Sequence, residues 1–333
     1  MTSKQLREAC LNAKEFSTEI LHWIQNENLW NIWVPKEFGG LEFTLTEGLK
    51  QLKELAKIDG SLGWTITLCS GANFFIGNLQ KDVATELFSK NNVCLGGSGG
   101  VFGTAEKSGN QYLLNGKWRY ATGSHYLSDF TLNAHIIENG KPLLNKDGSP
   151  YIRSFIVPKE KVKIIEDWDA MGLVATVTNS FCIEQVECDE KYSFRYADVF
   201  LPQALYQIDF STFADLTLWV NYIGMAAHFL ERITTDFPNL SATPLQQVIS
   251  TANNDVFTIA SDLESKLKNH ILLSDENVHE IHLKAAKSVK SITQEIIKIY
   301  PFLGIRGSSI HKSINQLFRD YFTATQHPIF VKG

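Results

Sequence analysis

The chain is poor in the residues that staple, anchor or charge a protein in one direction. Its 333 residues include only five cysteines, at positions 10, 69, 94, 182 and 188. The count is odd, and no CxxC pair or Cys/His metal spacing occurs, so neither a disulfide framework nor a zinc module is indicated. Scattered thiols of this kind read as buried residues of a reducing compartment. Basic charge is not in excess: 31 Lys and Arg stand against 36 Asp and Glu, for a net charge of −5. That argues against broad nucleic-acid binding and gives no support for docking on an anionic membrane. No apolar run approaches the roughly 18 residues needed to span a bilayer. The stretch MTSKQLREACLNAKEF is too polar for a secretory signal. The expectation is a cytoplasmic protein with neither nucleic acid nor membrane as partner. GxxxxGK[ST], HExxH and GxSxG are also absent, which removes the commonest phosphate-loop, zinc-protease and hydrolase-elbow chemistries.

What is present changes texture twice. Residues 1–90 look helical. Leu6, Cys10, Ala13, Phe16, Ile20 and Ile24 step by three or four, and Leu49, Leu52 and Leu55 or Ala56 resume the pattern before Gly60. The almost uncharged stretch 61–79, SLGWTITLCSGANFFIGNL, predicts a buried helix and is a candidate pocket wall. Residues 91–205 read as a β domain, a sandwich or barrel. In it, the Asn115-Gly116 pair predicts a type I′ hairpin turn between two strand-like arms. Residues 206–333 return to helical spacing, with stripes through Trp219, Tyr222, Ala226, Phe229 and Ile233, through Ile249 to Leu267, and through Leu283, Ala286, Val289, Ile292 and Ile296. Long stripes with short connections are the pattern of an antiparallel bundle. The fold class is α+β, mainly α.

Several residues are candidates for chemistry. Trp118 and Tyr120 lie two apart and are expected on one strand face, with Thr122 and Ser124 continuing the phase. Rings followed by hydroxyls can stack on a planar heterocycle and bond to its edge, although core packing explains the same pattern. Thr176, Thr178 and Ser180 alternate, as the solvent face of a strand or a phosphate or ring-edge contact would. The glycines between 96 and 103 neither clearly follow a strand nor open a helix, so they read as a flexible turn. His327 has the ordinary pKa of a general base if it lines a pocket, and His125 is a weaker candidate.

Five stretches in order carry a resemblance: WVPKEFGG (33–40), DGSLGW (59–64), LNGKWRYATGS (114–124), WDAMGLVATVTNS (168–180) and FRDYFTATQH (318–327). With them the chain resembles the acyl-CoA dehydrogenase superfamily. More narrowly, it is similar to the oxygenase components of two-component flavin-dependent monooxygenases. The resemblance implies an N-terminal helical domain, a central β-barrel-like domain and a C-terminal four-helix bundle, assembled as a homotetramer or homodimer. It implies reduced flavin, FMN or FAD, supplied by a separate flavin reductase, with O2 and a small aromatic or amine-bearing molecule as substrates. Tyr120, Ala121, Thr122, Gly123 and Ser124 would then lie against the flavin ring. Thr176 and Thr178 would lie near its ribityl or phosphate region, and Gly304, Arg306 and Gly307 would approach it from a neighbouring subunit. Ser124 and His327 would be catalytic.

The C-terminal motif offers no Asp or Glu in the place where the dehydrogenase branch has its base, which favours oxygenation over desaturation. The alternatives are a dehydrogenase-like flavin oxidoreductase and a diverged member with a structural or partner-binding role. Two departures from the family pattern stand out: Val174 and Gln316 occupy positions where arginine is usual.

Overall fold

Side chains that satisfy free backbone N–H groups set where the first helices begin. Thr2 and Gln5 form a capping box at the start of α1 (Ser3–Cys10), and Ser17 caps α2 (Thr18–Asn26) through the Ile20 N–H. The stripe from Leu6 to Ile24 is therefore carried by two helices and the link between them; all its members but Ala13 are buried. Thr44 and Glu47 box the start of α3 (Leu45–Ile58). Asp59 ends α3 and opens α4 (Gly60–Asn73): its N–H bonds to Leu55 O, and its carboxylate accepts from the Leu62 N–H at 2.9 Å. Helix α4 is buried all round except at Leu68 and Gly71, as its lack of charge foretold. Helix α5 (Lys81–Phe88) leads into the strands. The structure, a computed structural model, describes residues 1–330.

Eight strands follow: β1 (Leu95–Ser108), β2 (Gln111–Ala121), β3 (Asp129–Glu138), β4 (Lys141–Pro142), β5 (Ile152–Pro158), β6 (Lys163–Ile165), β7 (Asn179–Asp189) and β8 (Ser193–Phe194). They form one sheet in the order β6-β7-β2-β1-β3-β5-β8, with β4 beside β3. The β1–β3 pair is parallel and the other pairs are antiparallel. The path is open, so the sheet does not close into the expected barrel. Its end strands, β6 and β8, are only three and two residues long, which limits the exposed edges.

The Asn115-Gly116 pair is not a turn. Ser108 and Gln111 close the β1–β2 hairpin around Gly109 and Asn110, and Gly109 takes the positive φ of +60°. Asn115-Gly116 lies inside β2, where Gly116 faces Gly103. The buried Trp118 ring covers both glycines: a Cβ would stand 2.3 Å from the ring on Gly103 and 2.9 Å from it on Gly116. Packing has overridden a local turn signal. The glycine-dense stretch 96–103 is likewise strand, the first half of β1, and not a flexible turn. Between Trp118 and Ala121 the β2–β7 register slips. Trp118 and Ala121 are therefore both buried while Tyr120 is 54% exposed, so Trp118 and Tyr120 do not share a face.

The remaining helices are α6 (Phe210–Asp236), α7 (Thr243–Lys268), α8 (Asp275–Ile299), the single turn α9 (Ile305–Ser308) and α10 (Ser313–Ala324). Helix α6 packs against α3, α4, α7, α8 and α10 and is buried on nearly every side. The inward stripe of α8 is Ile281, Ala285, Val289, Ile292 and Ile296, a true 3.6-residue repeat. Leu283, expected in it, is 47% exposed. Among the described residues no helix is long and apolar enough to cross a membrane.

Candidate functional site

A cavity of about 240 Å³ lies where α4, α6, β1 and β3 meet the turn after α10. Helix α4 turns Leu68 and Gly71, its two accessible residues, onto it. Phe75, Phe194, Phe210 and Phe213 supply aromatic wall. Phe75 stacks on Tyr196 with centroids 5.0 Å apart, and Phe213 stacks on Phe74 at 4.1 Å, so the walls are braced. One corner is polar. The Asn133 amide accepts from the Ser154 hydroxyl at 2.6 Å, donates to Gly99 O at 2.9 Å and meets the Tyr196 hydroxyl at 3.3 Å. An enclosed aromatic space with a few fixed polar groups suits a small, flat organic molecule.

His327 and Thr122 both line this cavity. His327 follows the last turn of α10, its N–H bonded to Ala324 O at 3.0 Å and its ring set edge-on to Trp64 with centroids 5.7 Å apart. Burial pushes its pKa down from 6.5 to about 4, so the imidazole is neutral over the physiological range. Its Nδ1 accepts from the Ile329 N–H at 3.4 Å, at the limit of a hydrogen bond, which leaves the ring able to take either tautomer. His125 is elsewhere, between Glu15 at 3.3 Å and Glu166 at 2.8 Å.

Thr122 is one end of a ladder of buried hydroxyls. Its Oγ1 lies 3.2 Å from that of Thr178, which lies 2.7 Å from that of Thr176, which donates to Leu173 O at 2.7 Å. The Gly123 N–H bonds to Thr176 O at 2.8 Å and ties the two turns together. The alternation of Thr176, Thr178 and Ser180 is not a solvent-facing strand. Thr176 closes a tight turn, Val177 reverses the chain at a φ of +40°, β7 begins only at Asn179, and all three hydroxyl residues are buried.

Ser124 does not face the cavity. It is fully buried, its hydroxyl donating to Val177 O at 2.7 Å and accepting from Asn179 Nδ2 at 3.2 Å. Ala121 is buried beside it in sequence, and Tyr120 stands outside with its ring 6.2 Å from that of Trp168. Gly304, Arg306 and Gly307 lie in the α8–α10 connection, where Arg306 donates to Asp236 O and covers the Phe237 ring; none of the three lines the cavity. One chain alone thus brings together Thr122, Gly123, Thr176, Thr178 and His327, but not the 304–307 turn.

Sequence reasoning missed the Asn133–Ser154–Tyr196 corner, which has no local signature. It also missed two buried acids, Asp59 and Asp320, although each sits inside a stretch it had singled out, DGSLGW and FRDYFTATQH.

No family model matches the chain. Over 247 residues, 71% of its length, it is 25% identical to the indole-3-acetate monooxygenase of Pseudomonas putida, and the match spans 61% of that protein. In fold it is similar to the 3-HSA hydroxylase of Rhodococcus sp. RHA1, with a TM-score of 0.90, 16% identity and coverage of 98% of this chain and 91% of that one. It is also similar to the dibenzothiophene monooxygenase TdsC of Paenibacillus sp. A11-2, solved with FMN and indole, with a TM-score of 0.80, 16% identity and coverage of 99% and 92%. Its sequence relatives also include the flavin-dependent monooxygenase oxygenase subunit HsaA of Rhodococcus jostii and the oxygenase component of the FADH2-dependent resorcinol hydroxylase of a Rhizobium species.

Proposed function

We propose that the chain is the oxygenase component of a two-component flavin-dependent monooxygenase and oxygenates a small aromatic or amine-bearing substrate held in the cavity. One observation carries this reading. Thr122, from the turn expected against a flavin, and His327, the expected base, line the same aromatic-walled space although they come from opposite halves of the chain. The relatives support it, since one acts on indole-3-acetate by name and one neighbour was solved with FMN and indole.

The residues present fit a flavin ring. Thr122 and Thr178 offer hydroxyls to its edge, and Tyr120 with Trp168 offers accessible aromatic surface. Beside Gly123, the buried hydroxyl of Thr65 has no partner among the described residues, a polar atom still to be answered. Bound reduced flavin, FMN or FAD, delivered by a separate reductase, supplies the activation of O2. The chain's own residues do the rest. Thr122 and Gly123 form the surface against the ring and Thr178 meets its polar edge, while the fully buried Ala121 and Thr176 hold that surface from behind. Ser124 fixes that turn without touching a ligand. The aromatic walls exclude water. His327 accepts a proton from the substrate in the tautomer that gives up the Ile329 contact.

Gly304, Arg306 and Gly307 would reach the ring only from a second copy, which fits a homodimer or homotetramer. In this reading, segments 1–90, 91–205 and 206–333 act as the helical, β and bundle domains of a cytoplasmic enzyme. A dehydrogenase would need a carboxylate at the cavity, and among the described residues none lines it.

Anaerobic titration of the purified protein with dithionite-reduced FMN and FAD tests this. Tight binding of one form, followed on admission of O2 by oxygenation of indole or a simple phenol, is the expected result. Failure to bind either reduced flavin would sink the proposal.

A further inference from the structure

Two carboxylates stand in a buried part of the molecule, and among the described residues no cation is paired to either. Asp59, at the α3–α4 junction, is 5% exposed and Asp320, in α10, is 2% exposed. The two segments touch: a Cβ on Gly60 would lie 2.9 Å from Asp320 Cβ and 3.2 Å from its Oδ2. Three of the four carboxylate oxygens are answered. Asp59 Oδ1 accepts from the Leu62 N–H at 2.9 Å, Asp59 Oδ2 from Gln316 Nε2 at 3.0 Å, and Asp320 Oδ1 from the Leu173 N–H at 2.6 Å. Asp320 Oδ2 has no partner among the described residues.

The neighbouring groups do not neutralise the pair. Arg319 is adjacent in α10, but its guanidinium donates to Asn315 Oδ1, Met171 O and Asn12 Oδ1. Cys10, at the end of α1, is a thiol that burial and then the two aspartates keep protonated. From helix α6 the uncharged Met225 sulfur comes within 3.2 Å of where a Cβ on Gly60 would stand. Two bare anions here would suffer both burial and mutual repulsion. A proton on Asp320 Oδ2 removes one charge and turns the orphan acceptor into a donor.

We propose that Asp59 and Asp320 hold one proton between them, and that this proton positions the 173–178 turn against the cavity. The route is continuous. Asp320 takes the Leu173 N–H, Leu173 O takes the Thr176 hydroxyl, and Thr176 reaches Thr122 through Thr178. Asp59, on the other side, caps the helix that forms another wall of the same cavity. These are positioning residues, and they would act on the cavity wall whatever molecule the cavity holds.

Burial first, and then repulsion from Asp320, raises the pKa of Asp59; burial raises that of Asp320 and outweighs the Leu173 N–H bond, which acts the other way. An acid whose folded pKa is raised binds its proton more tightly folded than unfolded. The docked state is therefore most favoured at low pH. Between about pH 4 and the raised midpoint, opening becomes up to about tenfold easier per pH unit, the linkage slope of one proton, and it levels off above.

The full chain with carboxyl-13C aspartate tests the shared proton by NMR titration. Once the resonances are assigned, that of Asp59 or Asp320 should titrate well above the ordinary value of about 4, separately from that of Asp215, which burial also raises. If Asp59 and Asp320 both titrate in the ordinary range, the proposal is overturned, and this arm does not depend on a variant that folds. Hydrogen exchange of peptides covering 168–178, corrected for intrinsic rates, tests the positioning. Wild type should lose protection between about pH 5 and about pH 8, whereas Asp320→Asn, whose amide permanently supplies the donor, should keep it at both. Equal wild-type protection at the two pH values would overturn the positioning role whether or not the variant folds. A variant that folds but loses protection as wild type does would overturn it equally.

Discussion

The hydroxyls of Thr122 and Thr178 lie 3.2 Å apart, where the turn after β2 meets the turn before β7. Their contact joins the cavity wall to a segment that is otherwise held from α10. Replacing Thr178 by valine keeps the volume and removes the middle hydroxyl of the ladder. Thr122 and Thr176 then each lose a buried partner, and stability should fall by about 1–3 kcal/mol. Urea unfolding measures that loss. Anaerobic flavin titration should show weakened binding in Thr178→Val and near-wild-type binding in Thr178→Ser.

His327 should leave a signature on the acid side of the stability profile. Its folded pKa, about 4, is below its ordinary 6.5. Between these values the unfolded chain binds the proton and the folded chain does not, so stability rises with pH across that window and is level above it. His327→Asn should remove that component of the thermal-melting profile. In turnover, a neutral imidazole remains available as base down to about pH 5. His327→Ala should retain flavin and lose the coupling of oxygen consumption to product. Unchanged coupling would take His327 out of the mechanism.

Gly116 should tolerate no side chain. A Cβ there would meet Gly103 Cα at 2.7 Å and the Trp118 ring at 2.9 Å, both in packed interior. Overpacking of this kind costs about 1–3 kcal/mol, so Gly116→Ala should melt markedly lower. Gly140→Ala is the control. It sits at a positive φ in the β3–β4 turn with open space around it, and should show only the smaller backbone cost of about 1 kcal/mol.

Gly71 should separate cavity size from stability. It lies inside α4, and the nearest atom to an added Cβ would be Phe213 Cε1 at 3.8 Å, an ordinary contact. Alanine in a helix interior gains about 0.5–1 kcal/mol over glycine. Gly71→Ala should therefore be as stable as wild type or more so, while binding two-ring aromatics more weakly than one-ring ones. Calorimetric titration with indole and phenol would show it, and an unchanged preference would mean that Gly71 does not border the occupied volume.

Much of this fold was legible without coordinates, because local rules were sufficient where they met no opposition. Four of the five α-helices in 1–90 follow Thr2, Ser17, Thr44 and Asp59, whose side chains cap them, and α5 follows Gln80 without such a cap. The uncharged stretch after Gly60 could only be buried, and it is. Failures came where a long-range neighbour outweighed the local signal. Asn115-Gly116 has the composition of a turn, but the Trp118 ring needs two glycines beneath it. Leu283 fell outside the α8 stripe because the helix repeat runs through Ile281 and Ala285.

The sequence by itself determined the order of helical and β segments and which motifs hold candidate hydroxyls and the candidate base His327. Only the tertiary structure decided which of those groups are free to act. Ser124 and Thr122 are near neighbours in one motif, yet one hydroxyl is held by Val177 and Asn179 while the other reaches the cavity. Nothing local marks Asp59 and Asp320, and only folding buries both and brings their segments into contact without a paired cation among the described residues. Burial and partner choice depend on contacts between residues far apart in the chain, so no local pattern could specify them.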